Sequence, residues 1–527
     1  MDVKRLVLAG ATAKEWRGLN RTTGRYEANI SQRTHLAEPW RTPCITDLIH
    51  YLSTHRSSPG AHRSVAENLA RPITRYGWAQ LCHRLGPGWQ RVLSDAAGSS
   101  LRKTLSSRLL STSTQAIERS WNALQTTPGL SSRDPWSLET LFFADGVETA
   151  ACRLLQHYPA LARLWAVRID LWSRFVEELL KHARSFKGAN TWLEGSRLIQ
   201  SLQLDLSDLH EGNRSVTRIR FVDESCWFYK PRSGQCEKAW FDLLAWVNST
   251  GFPLYFKVVK VVCAERHCWM EEVAHRPCKN RSEVEDYFFR AGALLCLVHW
   301  LRGVDFHAGN IIAHGAQPVI VDCETFFHPA TTLPATAIAE ERSLLRTGML
   351  PIHRRKEPFS DSVSAFGRVS FGPHSVRLNG KVVFTEDFRD ELSEGFHQMF
   401  THLHSHVKKT GMRRMITRLR RAPCRTIYRP TSRYYAVLAA SLRPAFLTSG
   451  AARSRFLVAT CRKGHTPPFG WKEEAGALEN GDIPIFRAQG SALRRYTRQA
   501  MQRDMKILAQ MLAPTAARAA RYTARRL

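Results

Sequence analysis

One stretch constrains this chain more than any other: Gly303-Val-Asp305-Phe-His307-Ala-Gly309-Asn310-Ile-Ile-Ala-His-Gly315-Ala-Gln-Pro-Val-Ile-Val-Asp322-Cys-Glu324. Runs of Ile, Val and Ala flank a turn at His314–Gln317 that contains Gly315, the pattern of a β-hairpin with strands at Asn310–Ala313 and Pro318–Val321. A tight antiparallel pair returns the chain to its starting point. Asp305 and Asn310, before the first strand, therefore meet Asp322, after the second. Two carboxylates and one amide at a point are few, hard oxygen ligands. That set suits magnesium when nucleotide phosphates complete its shell. The plain alternative is a buried hairpin with an Asp-capped loop and a satisfied core histidine at His307.

The spacing adds to this. Asn310 follows Asp305 by five positions, and Asp322 follows Asn310 by twelve. It resembles phosphoryl-transfer enzymes, in which a catalytic-loop Asp precedes a metal-binding Asn and, after a short strand pair, a metal-binding Asp. The form Asp-x-His-x-x-Asn is closer to the lipid-kinase version than to the protein-kinase one.

Length and composition set the frame. The 527 residues can hold two to four domains, and 43% hydrophobic with 23% charged residues marks a globular chain. A net charge of +30, from 76 Lys+Arg against 46 Asp+Glu, favours an anionic partner without choosing among nucleotide, acidic peptide, nucleic acid and membrane surface. The 12 cysteines form no Cys-x-x-Cys pair, which argues against structural zinc and a disulfide framework and fits a reducing compartment. The apolar run Leu6–Ala13 is too short and too soon interrupted for a signal peptide, and Ala291–Leu301 is too short to span a bilayer, so a cytoplasmic protein is expected.

Along the chain, residues 1–134 form a basic region with helical pieces at Thr46–Thr54 and Ile73–His83, and Ser94–Thr114 reads as surface structure or a linker. Residues 135–205 are a helical layer: Leu138, Leu141, Phe142, Val147, Leu154, Leu161, Leu164, Leu171 and Phe175 recur at spacings of three and four. A second hairpin follows, with strands Ser215–Phe221 and Cys226–Lys230 around a turn at Asp223–Ser225. Gly212-Asn213 opens it and can bring backbone N–H groups close to an anion. Lys230 sits where kinases keep the strand lysine that holds nucleotide phosphates. Taken alone, Lys230 reads as a solvated strand-end lysine, Asp208 as a turn former and His210 as a surface histidine. A helix at Glu237–Asn248 closes at Gly251, and Tyr255–Cys263 is β-like. A capping box Ser282-x-x-Glu285 precedes the long apolar helix Val284–Leu301, a buried element that delivers the chain to Asp305.

From about Tyr158 to Phe486 the sequence resembles the dehydratase domain of class II lanthipeptide synthetases. The matching blocks, in the family's order, are Tyr158-Pro-Ala-Leu-Ala-Arg163, Asp208-Leu-His210 with Arg214-Ser-Val, Tyr229-Lys-Pro-Arg-Ser233, Leu243–Gly251, Asp305–Gly315, Pro318–Thr325, Arg429-Pro-Thr431 with Tyr434, and Gly481-Asp-Ile-Pro-Ile-Phe486. The resemblance implies an α+β, lipid-kinase-like two-lobed core with β-hairpins and a buried catalytic helix, plus added N-terminal helical subdomains. The core would span residues 206–486, with a nucleotide lobe near 206–275 and a catalytic lobe near 276–486. It also implies ATP- and magnesium-dependent phosphorylation of Ser and Thr in a leader-bearing precursor peptide. Elimination of the phosphate would then leave dehydroalanine or dehydrobutyrine.

Carried over by motif position, Asp305 orients or deprotonates the substrate hydroxyl and His307 is the catalytic-loop histidine. Asn310 and Asp322 bind magnesium, and Lys230 and Gly212 lie at the nucleotide. Asp208 and His210 serve the active site from the first hairpin, and Arg425 and Thr431 carry the elimination. Two arginines, Arg425 and Arg429, beside a threonine also make a chemically reasonable clamp for a leaving phosphate; read without the family, the segment is a charged loop before a helix at Tyr434–Leu442. Gly309 stands where the family usually has Glu, and Asp322-Cys-Glu324-Thr where it has Asp-Leu-Glu-Thr. Cys461 and His465 are an isolated Cys/His pair, so no zinc and no cyclase domain are expected, with ring closure left to a separate partner. Residues 487–527 are expected to form a basic amphipathic helix and tail, either solvated or a docking surface for an acidic leader. A stand-alone kinase and an inactive basic peptide- or nucleic-acid-binding fragment are the other readings.

Overall fold

The chain is α+β: long helices with short antiparallel hairpins set among them. The computed structural model describes residues 43–60, 64–127, 135–186, 199–328, 344–350, 374–463, 470–488 and 497–512. It divides into two compact units, one of Met1–Pro231 with Arg429–Ile485, the other of Arg232–Tyr428 with Phe486–Leu527.

The first unit is mostly helical. Ser64 and Glu67 cap the helix Val65–Leu85 reciprocally. The stretch read as a linker is instead the start of a 31-residue helix, Asp95–Gln125, capped by Ser94. Leu101, Leu105, Leu109 and Ile117 give it a fully buried stripe. Its hydroxyls fold back onto their own helix: Thr112 Oγ1 donates to the Leu109 carbonyl at 2.7 Å and Thr114 Oγ1 to that of Leu110 at 2.8 Å. Ser/Thr composition misleads here because back-bonding satisfies the hydroxyls without breaking the helix. The helical layer resolves into Pro135–Phe142, Val147–His157 and Pro159–Ser185. Trp165 in the last donates its indole N–H to the Leu109 carbonyl at 3.2 Å, tying the two longest helices together.

Three antiparallel strands follow: β1 (Ile199–Gln203), β2 (Thr217–Phe221) and β3 (Cys226–Lys230). Register pairs Thr217 with Tyr229 and Ile219 with Trp227, so alternate residues face inward, as the period of two requires. The unit is completed by Thr431–Ser441, Gly450–Arg462 and Trp471–Glu479, whose Phe446, Phe456, Leu457 and Leu478 neighbours form one apolar cluster.

In the second unit, the helix Gln235–Asn248 precedes β4 (Val261–Cys263) and β5 (Cys268–Glu271). Only the end of the β-like stretch Tyr255–Cys263 is a strand. The helix Arg281–Trp300 is buried on nearly every side. Its cap is Asn280, which accepts from the Glu283 N–H at 2.9 Å, two residues before the expected box at Ser282. It crosses the helix Arg389–His406 at two glycines. A Cβ on Gly292 would lie 1.8 Å from the Leu392 carbonyl oxygen, and one on Gly395 1.8 Å from that of Phe289. The hairpin β6 (Ile311–His314) and β7 (Gln317–Ile320) turns through Gly315 at φ +59, with Ile311 opposite Ile320. The strand Cys424–Thr426 pairs with Phe486–Ala488.

The basic C-terminal helix, Arg498–Leu512, is not solvated on its apolar side. Leu508 and Leu512 are buried, and Asp504 meets the His299 ring at 3.1 Å. Its apolar face is covered by its own chain. Among the described residues no helix is long and apolar enough to cross a membrane, and the eleven described cysteines are free.

Candidate active site

The second unit assembles five of the expected residues. Arg281–Trp300 ends in a turn, and Asp305 follows with its backbone left-handed at φ +68. Such a conformation costs roughly 1–3 kcal/mol in a non-glycine residue and persists only where neighbours enforce it. Here they do: the Val304 N–H donates to the Thr325 carbonyl at 3.2 Å and the Phe306 N–H to the Thr347 carbonyl at 2.8 Å. Asn310 Nδ2 donates to the Asp305 carbonyl at 2.8 Å, which leaves its Oδ1, an oxygen of the kind magnesium takes, without a partner among the described residues. The Val321 N–H donates to the Asn310 carbonyl at 2.9 Å, so the hairpin closes with Asn310 opposite the residue before Asp322.

His307 Nδ1 accepts the Gly309 N–H at 3.1 Å. In the neutral ring the proton is therefore on Nε2, which faces Asp305 Oδ1 at 3.9 Å. A Cβ at Gly309 would come 3.0 Å from His307 Cε1, so a glycine at this position spares the histidine a tight contact.

Charge organises the rest. Arg425 Nη1 donates to Glu324 Oε1 at 2.9 Å. Glu324 Oε2 and Asp322 Oδ1 meet the guanidinium of Arg232, at 3.0 and 2.7 Å. Asp305 keeps 40% of its side chain accessible. Burial of the carboxyl nonetheless raises its pKa, as do Asp322 and Glu324, while His307 and Arg425 oppose the shift. Burial works against the Arg425 cation, but Glu324, Asp305 and Asp322 outweigh it and raise its pKa. Asp305, Asp322, Glu324 and Arg425 thus act on one another electrostatically.

The fit to magnesium follows from this donor set. Among the described residues no three His, Cys, Asp or Glu side chains are arranged to hold a metal ion by themselves. Asn310 and Asp322 are an amide and a carboxylate. Magnesium keeps several waters and takes one or two protein oxygens plus phosphates, so the pair suits a metal that arrives with a nucleotide.

The other expected residues lie in the first unit. Lys230, at the end of β3, is 5% exposed, so it is not a solvated strand-end lysine. The loop from Asp208 to Asn213 is bound to the segment 480–483. His210 Nδ1 meets the Ile483 carbonyl at 2.7 Å. A carbonyl only accepts, so Nδ1 carries the proton and the neutral ring keeps a lone pair on Nε2. The Gly212 and Asn213 N–H groups donate to the Asp482 carboxylate at 2.7 and 2.9 Å. The anion that fills this turn, at the Gly212 N–H expected to lie near nucleotide phosphate, is the chain's own Asp482 carboxylate. Asp208 accepts from the Tyr435 hydroxyl and lines a cavity of about 790 Å³ together with Arg108, Arg168, Arg453 and Tyr435.

Thr431 is the first residue of its helix, which has no side-chain cap. Arg429 is buried against Glu474 at 2.8 Å, so this arginine is tied into the core. His465 falls outside the described residues. Arg232, Glu324, Asp482 and Tyr435 were not singled out from sequence. The first three stand inside quoted blocks, but nothing local to them signals their partners.

Residues 158–372 and 368–489 match a family described as a domain of unknown function, DUF4135. The chain belongs to the DUF4135 family. The matched segments take in both charge clusters, from Asp208 and Asp482 to Asp305, Asp322 and Arg425. This DUF4135 chain is also similar to the lacticin 481/lactococcin biosynthesis protein of Lactococcus lactis subsp. lactis, at 27% identity over 161 residues. That match covers 28% of this chain and 17% of the length of the curated relative.

Proposed function

We propose that this chain is an enzyme of lanthipeptide modification with a lipid-kinase-like core. It phosphorylates Ser and Thr of a leader-bearing precursor peptide with ATP, then eliminates the phosphate to leave a dehydroamino acid. The observation that supports the reading is a carboxylate pair held by one guanidinium, that of Arg232. Asp322, beside the Asp305/Asn310 loop, and Glu324, on Arg425, hang from the same guanidinium. The similarity to a lantibiotic biosynthesis protein supports the substrate class.

In the first step Asp305 accepts the hydroxyl proton as the substrate oxygen takes the phosphoryl group and ADP departs. A raised pKa makes this carboxylate the better base near neutral pH. Asn310 and Asp322 would hold magnesium, which supplies charge neutralisation at the phosphate oxygens. Lys230, buried at the end of β3, is assigned to phosphate. In the second step the Cα–H and Cβ–O bonds break and phosphate leaves. Arg425 stays charged and pairs with it. Thr431 offers a hydroxyl at an uncapped helix start, where backbone N–H groups favour an anion. His210, with its lone pair on Nε2, is set up to accept a proton.

The test is mass spectrometry of a leader-bearing precursor peptide after incubation with the protein, ATP and magnesium. Loss of water at Ser or Thr supports the reading, and alkylatable Cys thiols afterwards assign ring closure to another protein. Added phosphate without water loss would leave a kinase only. Salt-sensitive nucleic-acid binding with no ATP turnover would replace the enzyme with a basic binding protein.

A further inference from the structure

Arg232 holds three carboxylates at once. Nη1 meets Glu237 at 2.7 Å, Nη2 meets Asp322 at 2.7 Å and Nε meets Glu324 at 3.0 Å. Its side chain is 13% exposed, and that of Glu237 is 0% exposed. All three kinds of guanidinium nitrogen are engaged, a geometry that a lysine cannot reproduce.

One of these partners, Asp322, is a proposed magnesium ligand, and Glu324 stands two residues on. A guanidinium against both is a cation already present at the edge of the metal position. We propose that Arg232 is the resident counter-cation of this carboxylate pair, and that it keeps the site weak for a free divalent ion, so that metal is held only together with nucleotide phosphate. The inference rests on the reading of Asn310 and Asp322 as the metal pair.

The charge count supports it. Glu237, Asp322, Glu324 and Asp305 carry four formal negative charges, and Arg232 and Arg425 return two positive ones. A unit charge a few ångströms from a divalent ion is a large term even at the effective dielectric of a protein surface. Removing it takes these named groups from a net formal charge of −2 to −3 and leaves Asp322 without its guanidinium contact. Nucleotide phosphates overcome the same repulsion in another way: they bring negative charge and further oxygen ligands with the metal. Arg232 is therefore a positioning residue. It touches Asp322, one of the two proposed ligands, and its role is to set how strongly that carboxylate holds a metal.

The test measures Mn2+ bound to the full chain by the loss of the free-ion electron paramagnetic resonance signal, with and without a non-hydrolysable ATP analogue. Wild type is expected to hold Mn2+ weakly alone and much more tightly with the analogue. Arg232→Met is expected to bind Mn2+ alone about tenfold tighter or more, and adding Asp322→Asn should remove that gain. Because Arg232→Met strands buried Glu237, the pair Arg232→Met/Glu237→Gln is measured beside it and should show the same gain. Wild type binding Mn2+ equally with and without the analogue would overturn the inference. So would Arg232→Met and Arg232→Met/Glu237→Gln if they bind the ion no tighter than wild type. Absence of Mn2+ binding even with the analogue would instead sink the metal reading of Asn310 and Asp322, and this inference with it.

Discussion

Arg425 is bound twice to Glu324. Its Nη1 donates to the carboxylate at 2.9 Å, and its main-chain N–H donates to the Glu324 carbonyl at 2.6 Å. The guanidinium is therefore aimed by a residue of the loop that carries Asp322. Arg425→Ala should leave phosphorylation intact and accumulate phosphopeptide, seen as mass addition without water loss. Glu324→Gln should slow elimination more than phosphorylation, because it removes the charge of the carboxylate paired with Arg425 while sparing Asn310 and Asp305. A variant that loses both steps equally would place Glu324 in the first step as well.

Asp305 gives a pH test with a definite sign. Its folded pKa is raised above the unfolded value, mainly by burial. A raised carboxyl pKa means that ionisation costs the fold stability, and the cost appears as pH rises through the window between the unfolded pKa, about 3.9, and the folded one. Asp305→Asn should therefore melt higher than wild type at neutral pH, and the difference should shrink as pH falls toward 4. The same variant should lose roughly 10²–10⁴-fold in phosphorylation rate, as expected when a general base is removed. Melting curves and single-turnover rates across pH read the two effects separately. Equal melting temperatures at every pH would show that the carboxyl is not held in the environment described.

What the sequence showed and hid follows from distance along the chain. The β6–β7 hairpin was legible because short unbroken apolar runs on either side of Gly315 are local signals, and its strands shifted by one residue only. The buried helix before Asp305 was legible from its length and composition, but its cap slipped because Asn280 and Ser282 are both good caps. The helix Asp95–Gln125 was hidden by its hydroxyl residues, whose satisfaction depends on back-bonding that composition does not reveal. Arg232 and Asp482 were hidden for a different reason. Arg232 meets Asp322 and Glu324, and Asp482 meets Gly212, across long sequence separations that no local pattern encodes.

Asp482 should prove to be the anchor of the Asp208–Asn213 loop. It is 3% exposed and accepts from the Gly212 N–H, the Asn213 N–H and Asn213 Nδ2 at 2.7, 2.9 and 2.8 Å. Removing a buried acceptor leaves its donors unsatisfied, at about 1–3 kcal/mol for each group and less than additively. Asp482→Ala should destabilise the first unit by roughly 3 kcal/mol or more. Asp482→Asn should fall between Ala and wild type, since its one oxygen can keep part of the set. Urea unfolding measures the loss. If His210 depends on this anchor, Asp482→Asn should also lower turnover at temperatures where the variant remains folded.

Gly292→Ala should be among the most damaging small substitutions in the second unit. The new methyl would meet the Leu392 carbonyl carbon and oxygen at 2.7 and 1.8 Å, and these are backbone atoms that no rotamer change can move aside. The helices Arg281–Trp300 and Arg389–His406 would have to separate, and Phe288 stacked on Phe388 would open with them. Ala has the better helix propensity by about 1 kcal/mol, so propensity alone predicts a gain. Overpacking of a close helix crossing typically costs about 1–3 kcal/mol or more, and here the contact is with main chain, so the loss should win. Denaturant unfolding of Gly292→Ala should show a lower midpoint. Because the same helix delivers the chain to Asp305, phosphorylation should fall even where the protein is still folded. A stabilised variant would mean that the two helices are not in the contact their glycines describe.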